Sequence, residues 1–117
     1  MIDLAEQGER VPLKEIAERQ EISKKYLEII VKDLVAGGLV EGISGKGGGY
    51  RLSRKPEEYT ILEILELMEG TLSPVACLSK GAEPCPRRSI CKTLPMWKEF
   101  DVLVHDFFYG KRLSDLL

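Results

Sequence analysis

The stretch Ser23-Lys-Lys-Tyr-Leu-Glu-Ile-Ile-Val-Lys-Asp-Leu-Val-Ala36, followed by Gly37-Gly38-Leu39-Val40 and then Ser44-Gly-Lys-Gly-Gly-Gly-Tyr-Arg-Leu52, decides the fold. Leu27, Ile30, Val31 and Leu34 recur at helical spacing and predict one buried face. Lys24, Lys25, Glu28 and Lys32 lie off that face. Ser23 stands at the N-cap position, where its hydroxyl can accept a free backbone N–H. Gly37-Gly38 predicts the stop, since glycine accepts the left-handed conformation of a helix end. Leu39-Val40 opens a strand, residues 44–49 form a glycine-rich tip, and Tyr50-Arg51-Leu52 returns. A helix followed by a two-stranded ribbon with a basic tip is the pattern of a winged helix-turn-helix. Its helix can enter a DNA major groove while the tip lies on the neighbouring backbone or minor groove.

Working outward, Met1 to Gln7 predicts a short helix whose Ile2, Leu4 and Ala5 offer too little apolar face to dock alone, and Gly8 ends it. A second helix is expected to open at Val11-Pro12, with Pro in the first helical position. Leu13, Ile16 and Ala17 form its buried side. Gln20-Glu21-Ile22 is a link of helix-turn-helix length. Beyond the wing, residues 54–58 are a polar break. Thr60-Ile-Leu-Glu63 is a capping box at the start of a helix with Ile61, Ile64, Leu65 and Met68 on one side, which Gly70 stops. A loop rich in Cys, Pro and Gly runs from Cys77 to Cys91. A long helix is expected from near Lys92 to about Tyr109, striped with Trp97, Phe100, Leu103, Val104, Phe107 and Phe108. The stripe is large for so small a chain. Docking on the chain's own core is one use, and packing on the same helix of a second copy is the expected one. Leu113, Leu116 and Leu117 close the chain as a short amphipathic tail.

At 117 residues the chain has room for one domain and a dimerisation element. The expected division is a DNA-binding domain over 1–72, a cysteine loop over 73–91, and a dimerisation helix with tail over 92–117. The net charge of −2 hides a split. Residues 1–22 carry −3, residues 23–55 carry +4 and residues 56–117 carry −3. The positive excess falls where phosphate contacts need it. No apolar run is long enough to cross a membrane and no signal peptide opens the chain, so a cytoplasmic location is expected.

The only cysteines, Cys77, Cys85 and Cys91, fall in one loop with seven and five residues between them. In a cytosolic chain this clustering favours metal or redox use over a structural disulfide. Spacing alone leaves two readings open, a bound metal or cluster and three free thiols. Three cysteines also leave a four-ligand site one short. His105, the only histidine, lies about 21 Å beyond Cys91 if the helix is continuous, too far to complete the set in one subunit. It is expected to be an ordinary surface or interface residue. No nucleophile elbow or phosphate loop is present, so no enzymatic role is expected.

Taken together, Val11-Pro12-Leu13-x-x-Ile16-Ala17, Ile22-Ser23-x-x-Tyr26-Leu27-Glu28, Leu34-x-x-x-Gly38-Leu39-Val40 and Gly45-x-Gly47-Gly48-Gly49-Tyr50 resemble the Rrf-two (IscR/NsrR/CymR-type) family of winged-helix transcription factors. Cys77, Cys85, Cys91 and the following Trp97 look like that family's cluster loop and the start of its dimer helix. The resemblance implies a mainly α fold with a two-stranded antiparallel wing and a long C-terminal dimerisation helix. It implies a homodimeric regulator, a repressor by expectation, on palindromic double-stranded DNA. Ser23, Lys24, Lys25, Tyr26 and Glu28 fall on the DNA-facing start of the recognition helix. Glu28 would read a base, Lys25 and Tyr26 would touch phosphate, and Lys46, Gly47 and Gly48 would approach the backbone. In cluster-binding members the three cysteines hold an iron–sulfur cluster that senses iron–sulfur status, redox state or nitric oxide. Two-iron and four-iron types are not distinguished, nor is the fourth ligand. Other members lack the cysteines and answer to a protein or metabolite partner. A protein of the metal or thiol class without DNA work is the reading outside the family. Ser44 stands where relatives often have Arg, and Leu94 where some supply a histidine ligand. Met1 matches the middle of the family's first helix, so that helix is expected to be cut short.

Overall fold

A computed structural model describes residues 1–79 and 81–117. The element order is α1 (Ile2–Gln7), α2 (Leu13–Gln20), α3 (Lys24–Ala36), β1 (Val40–Ile43), β2 (Gly49–Leu52), α4 (Ile61–Glu69) and α5 (Leu94–Tyr109). Single 3-10 turns occupy Pro56–Glu58, Ala76–Leu78 and Leu113–Leu116. The fold is mainly helical with one two-stranded antiparallel sheet, and the long C-terminal helix is present. The chain forms two compact units, Met1–Tyr59 with Arg112–Leu117, and Thr60–Lys111.

The first unit closes on Leu13, Ile16 and Ala17 of α2 and on Leu27, Val31 and Leu34 of α3, with Val11, Leu39 and Val40 beside them. These are the positions that helical spacing marks. Ile30, expected with them, is only half-buried. Glu21 joins α2 to α3 with φ at 54°, a left-handed conformation unusual for a residue with a Cβ. Val11 exchanges two backbone hydrogen bonds with Tyr50, each 2.9 Å, so the segment before α2 adds a bridge beside the wing. Gly49 makes that approach feasible. Its φ is 150°, and a Cβ there would sit 2.6 Å from the Val11 carbonyl. Pro12 is consequently not the first helical residue. It stays extended at ψ 143° as the N-cap of α2, because Val11 is held in the bridge.

At the end of α3, Gly37 keeps a right-handed conformation and Gly38 takes the positive φ, 75°. The Leu39 N–H then donates to the Leu34 carbonyl at 3.0 Å, the longer-reaching bond of a left-handed helix stop. The wing pairs Val40 with Leu52, Glu41 with Arg51, Gly42 with Tyr50 and Ile43 with Gly49.

Tyr59 is the anchor that the sequence pattern passed over, between the polar break at 54–58 and the capping box at Thr60. It is wholly buried. Its hydroxyl donates to the Leu39 carbonyl at 2.6 Å and accepts from the Arg54 N–H at 2.9 Å. The Arg54 guanidinium lies 4.3 Å from the ring centre. The Tyr59 carbonyl accepts from the Leu113 N–H at 3.1 Å, and Leu113 is buried while Leu116 and Leu117 stay exposed. The expected amphipathic tail is therefore a 3-10 turn docked through one of its three leucines. Helix α1, expected to offer too little apolar face to dock alone, docks through buried Leu4 together with a charge. Asp3 is buried and takes Arg19 bonds of 2.6 and 3.0 Å and a Gln20 bond of 3.0 Å.

In the second unit α4 packs on α5. The Thr60–Glu63 capping box forms as the sequence predicts, with Glu63 N–H to Thr60 Oγ1 and Thr60 N–H to Glu63 Oε2 both 3.1 Å. α5 begins at Leu94, two residues after the expected start, with Pro95 in its first turn.

Candidate nucleic-acid interface and cysteine loop

Ser23 caps α3 from an extended backbone, its Oγ accepting the Tyr26 N–H at 3.0 Å. That bond fixes where the helix starts and turns its first residues outward. Lys24, Lys25, Tyr26 and Glu28 are all exposed, Tyr26 by 59%. Lys24, Lys25, Lys32 and Lys46 pair with no carboxylate among the described residues, whereas Arg51 is held by Glu41 at 2.9 Å across the wing. Four of the cations without a carboxylate partner among the described residues therefore lie on α3 and at the wing tip, and the wing's own arginine serves the ribbon. An unpaired lysine at the surface can exchange its hydration and counterions for a phosphate without breaking an internal contact.

The tip residues divide in role. Gly47 has φ at 77° and open space around it, and Lys46 is exposed beside it. Gly48 is half-buried, and a Cβ there would collide with the Ile43 carbonyl. Gly48 thus serves the tight turn, where its N–H donates to the Gly45 carbonyl at 3.0 Å. One outward residue escaped the sequence reading. Ile29 is 59% exposed on the face opposite Leu27, Val31 and Leu34, and its place off the apolar period was the available signal.

Cys77 sits in the Ala76–Leu78 turn, and Cys77, Cys85 and Cys91 are all half-buried free thiols. Cys91 Sγ lies 3.4 Å from Thr93 Oγ1. Hydrogen bonding from Thr93 holds the Cys91 thiol below its ordinary pKa, with a smaller contribution from the Arg87 charge. Cysteine thiolates are the donors that iron–sulfur clusters use. By donor type the three residues fit such a group. Among the described residues, however, no three or more His, Cys, Asp or Glu side chains are gathered to hold a metal ion. The loop carries the ligand types without a preassembled site. His105 is a helix-packing residue. Its Nδ1–H donates to the Asp101 carbonyl at 2.7 Å, and Nε2 is 3.6 Å from Glu66 Oε1 on α4.

The family model described as "Iron-dependent Transcriptional regulator", Rrf2, matches residues 1–117. The chain belongs to the Rrf2 family. The HTH-type transcriptional regulator IscR of Aliivibrio salmonicida is 34% identical over 119 residues, covering 100% of this chain and 70% of that protein. Among solved structures, CymR, the global cysteine regulator of B. subtilis, aligns with a TM-score of 0.76 at 33% identity, covering 98% of this chain and 84% of that one. The IscR of T. potens aligns with a TM-score of 0.75 at 29% identity, covering 98% and 75%. The winged-helix class expected from residues 23–52 is therefore that of its structural neighbours. As a member of the Rrf2 family the chain is of the transcriptional-regulator class. Among the described residues no helix is long and apolar enough to cross a membrane.

Proposed function

We propose that this Rrf2 chain is a cytoplasmic, non-enzymatic, sequence-specific repressor that acts as a homodimer on palindromic DNA. The observation that carries the reading is the outward Lys24–Glu28 run on a capped, well-buried helix beside a basic wing tip. Helix α3 enters the major groove. Glu28 accepts from a cytosine amino group, Lys24, Lys25 and Tyr26 contact phosphate, and Lys46 with Gly47 follows the backbone, Gly48 shaping the turn that presents them. Ser23 sets the helix start and lies among the phosphates. The apolar face of α5 is covered by α5 of a second copy, placing two α3 helices about one DNA turn apart.

A duplex recovered by selection from random-sequence DNA tests this. Glu28→Ala should cost about 1–3 kcal/mol and relax preference at one base pair. Lys25→Ala should weaken binding to all sequences alike and reduce the salt slope by about 1. Recovery of no enriched sequence would refute the DNA reading.

Cys77, Cys85 and Cys91 would hold an iron–sulfur cluster of two-iron or four-iron type, with a fourth ligand from outside the three. When bound, such a group supplies thiolate–iron chemistry that responds to oxidation and to nitric oxide. Anaerobic reconstitution, read by visible absorption and iron content, tests it. A protein that stays colourless and iron-free, yet binds its selected duplex, supports the second reading, a cluster-free regulator controlled by a protein or metabolite partner. That alternative is supported by the three thiols, which among the described residues are not gathered into a metal site.

A further inference from the structure

Helix α3 has an isoleucine where a water-facing helix has no use for one. At 100° per residue, Leu27, Val31 and Leu34 define the buried pole. Lys25, Ile29 and Lys32 then lie around the opposite pole, one helical turn apart. Ile29 is 59% exposed there, with an unpaired lysine on either side and Glu28 adjoining it. Its β-branched side chain also lowers helix propensity slightly relative to Ala or Lys. Neither core packing nor helix formation accounts for it. A surface complementary to this pole would offer anionic groups to the two lysines and an apolar spot to the isoleucine between them along the helix. A DNA major groove does so, with phosphates along both rims and the C5-methyl group of thymine on its floor.

We infer that Ile29 is a specificity-determining residue that packs on a thymine methyl group in the operator. This deepens the DNA reading and rests on it. Glu28, one residue before, accepts from a cytosine amino group, so the two side chains together read a cytosine and a nearby thymine. The methyl contact adds discrimination without a hydrogen bond. It distinguishes thymine from cytosine and from uracil by the same missing or added carbon.

The test uses the full chain and a duplex that the chain itself selects from random-sequence DNA. Each thymine is replaced in turn by uracil, which removes the C5-methyl and leaves base pairing intact. Binding is measured by fluorescence anisotropy for the native chain and for Ile29→Ala. The native chain should lose about three- to tenfold in affinity at one thymine per half-site, the scale of one or two buried carbons. Ile29→Ala should lose a similar factor on the unmodified duplex and show no further loss at that uracil. Equal uracil sensitivity in both proteins, or no sensitive thymine in a duplex that is well bound, overturns the inference while leaving DNA binding in place. Failure to select any duplex instead removes the DNA reading itself. Ile29 is exposed, so Ile29→Ala keeps the fold, and an unchanged circular dichroism spectrum and melting temperature verify it. Salt dependence separates this contact from a charged one, because Ile29→Ala should leave the salt slope unchanged.

Discussion

The two compact units differ in how they satisfy their apolar residues. The unit Met1–Tyr59 with Arg112–Leu117 has a closed centre, in which Val11, Val40, Tyr59 and Leu113 are each exposed by 2% or less. In Thr60–Lys111 only Thr60 and Leu94 are fully buried among the described residues, and α4 buries none. Met96, Phe100, Leu103 and Phe107 on α5 remain 47–62% exposed. Contiguous apolar area of that kind marks an association surface more often than a solvent face. The first unit therefore carries its own stability, and the second has a face left over for the proposed partner copy.

That contrast can be broken in three places. The largest effect is expected from placing charge on the leftover face. Leu103→Asp with Phe107→Asp should weaken self-association by at least a thousandfold, about 4 kcal/mol, and leave a folded monomer in sedimentation equilibrium. An unchanged mass would show that α5 is not the dimer surface.

Next comes the closed centre. Tyr59→Phe keeps the ring but removes the hydroxyl between Leu39 and Arg54, leaving a buried carbonyl and N–H without that partner. A loss of about 1–3 kcal/mol in urea unfolding is expected. A loss below about 0.5 kcal/mol would mean that water replaces the hydroxyl.

The smallest effect is expected at α1. The Arg19 guanidinium, helped by Gln20, holds the Asp3 carboxyl below its ordinary value of 3.8 against the opposing effect of burial. The folded state thus binds the Asp3 proton less readily than the unfolded chain does. Its stabilisation is fully present above the unfolded-state value and is lost as pH falls through the lower folded-state value. Asp3→Asn should cost about 1–2 kcal/mol at pH 7. The gap between the two proteins should close as pH falls below about 4. A constant gap would assign the loss to packing rather than to charge.

These sites also mark where sequence reading reached and where it stopped. Ser23 and the Thr60–Glu63 box were legible because a cap is a contract between residues three apart. The outward position of Lys24, Lys25, Glu28 and Lys32 followed from the period of Leu27, Ile30, Val31 and Leu34, and that of Tyr26 only from the family resemblance. Tyr59 was not legible, since its partner is Leu39, twenty residues earlier, and nothing local distinguishes a buried tyrosine from one in a polar break. Asp3 was not singled out because its partner Arg19 lies sixteen residues away. Pro12 read as a first helical residue because its ring allows that position, and the Val11–Tyr50 bridge moved it one step out.

The chain's own order of residues determined the helices, the two-stranded wing, the exposed basic run and the loop that carries every cysteine, because periodicity, capping and turn geometry act over a few neighbours. Tertiary structure alone decided which tyrosine closes the first unit, that an acidic residue helps anchor the first helix and that Leu113, alone of the tail's leucines, is buried next to the Tyr59 backbone. Those outcomes depend on burial and hydrogen bonding between groups remote in sequence, whose worth is set only when folding removes water from both sides of the contact.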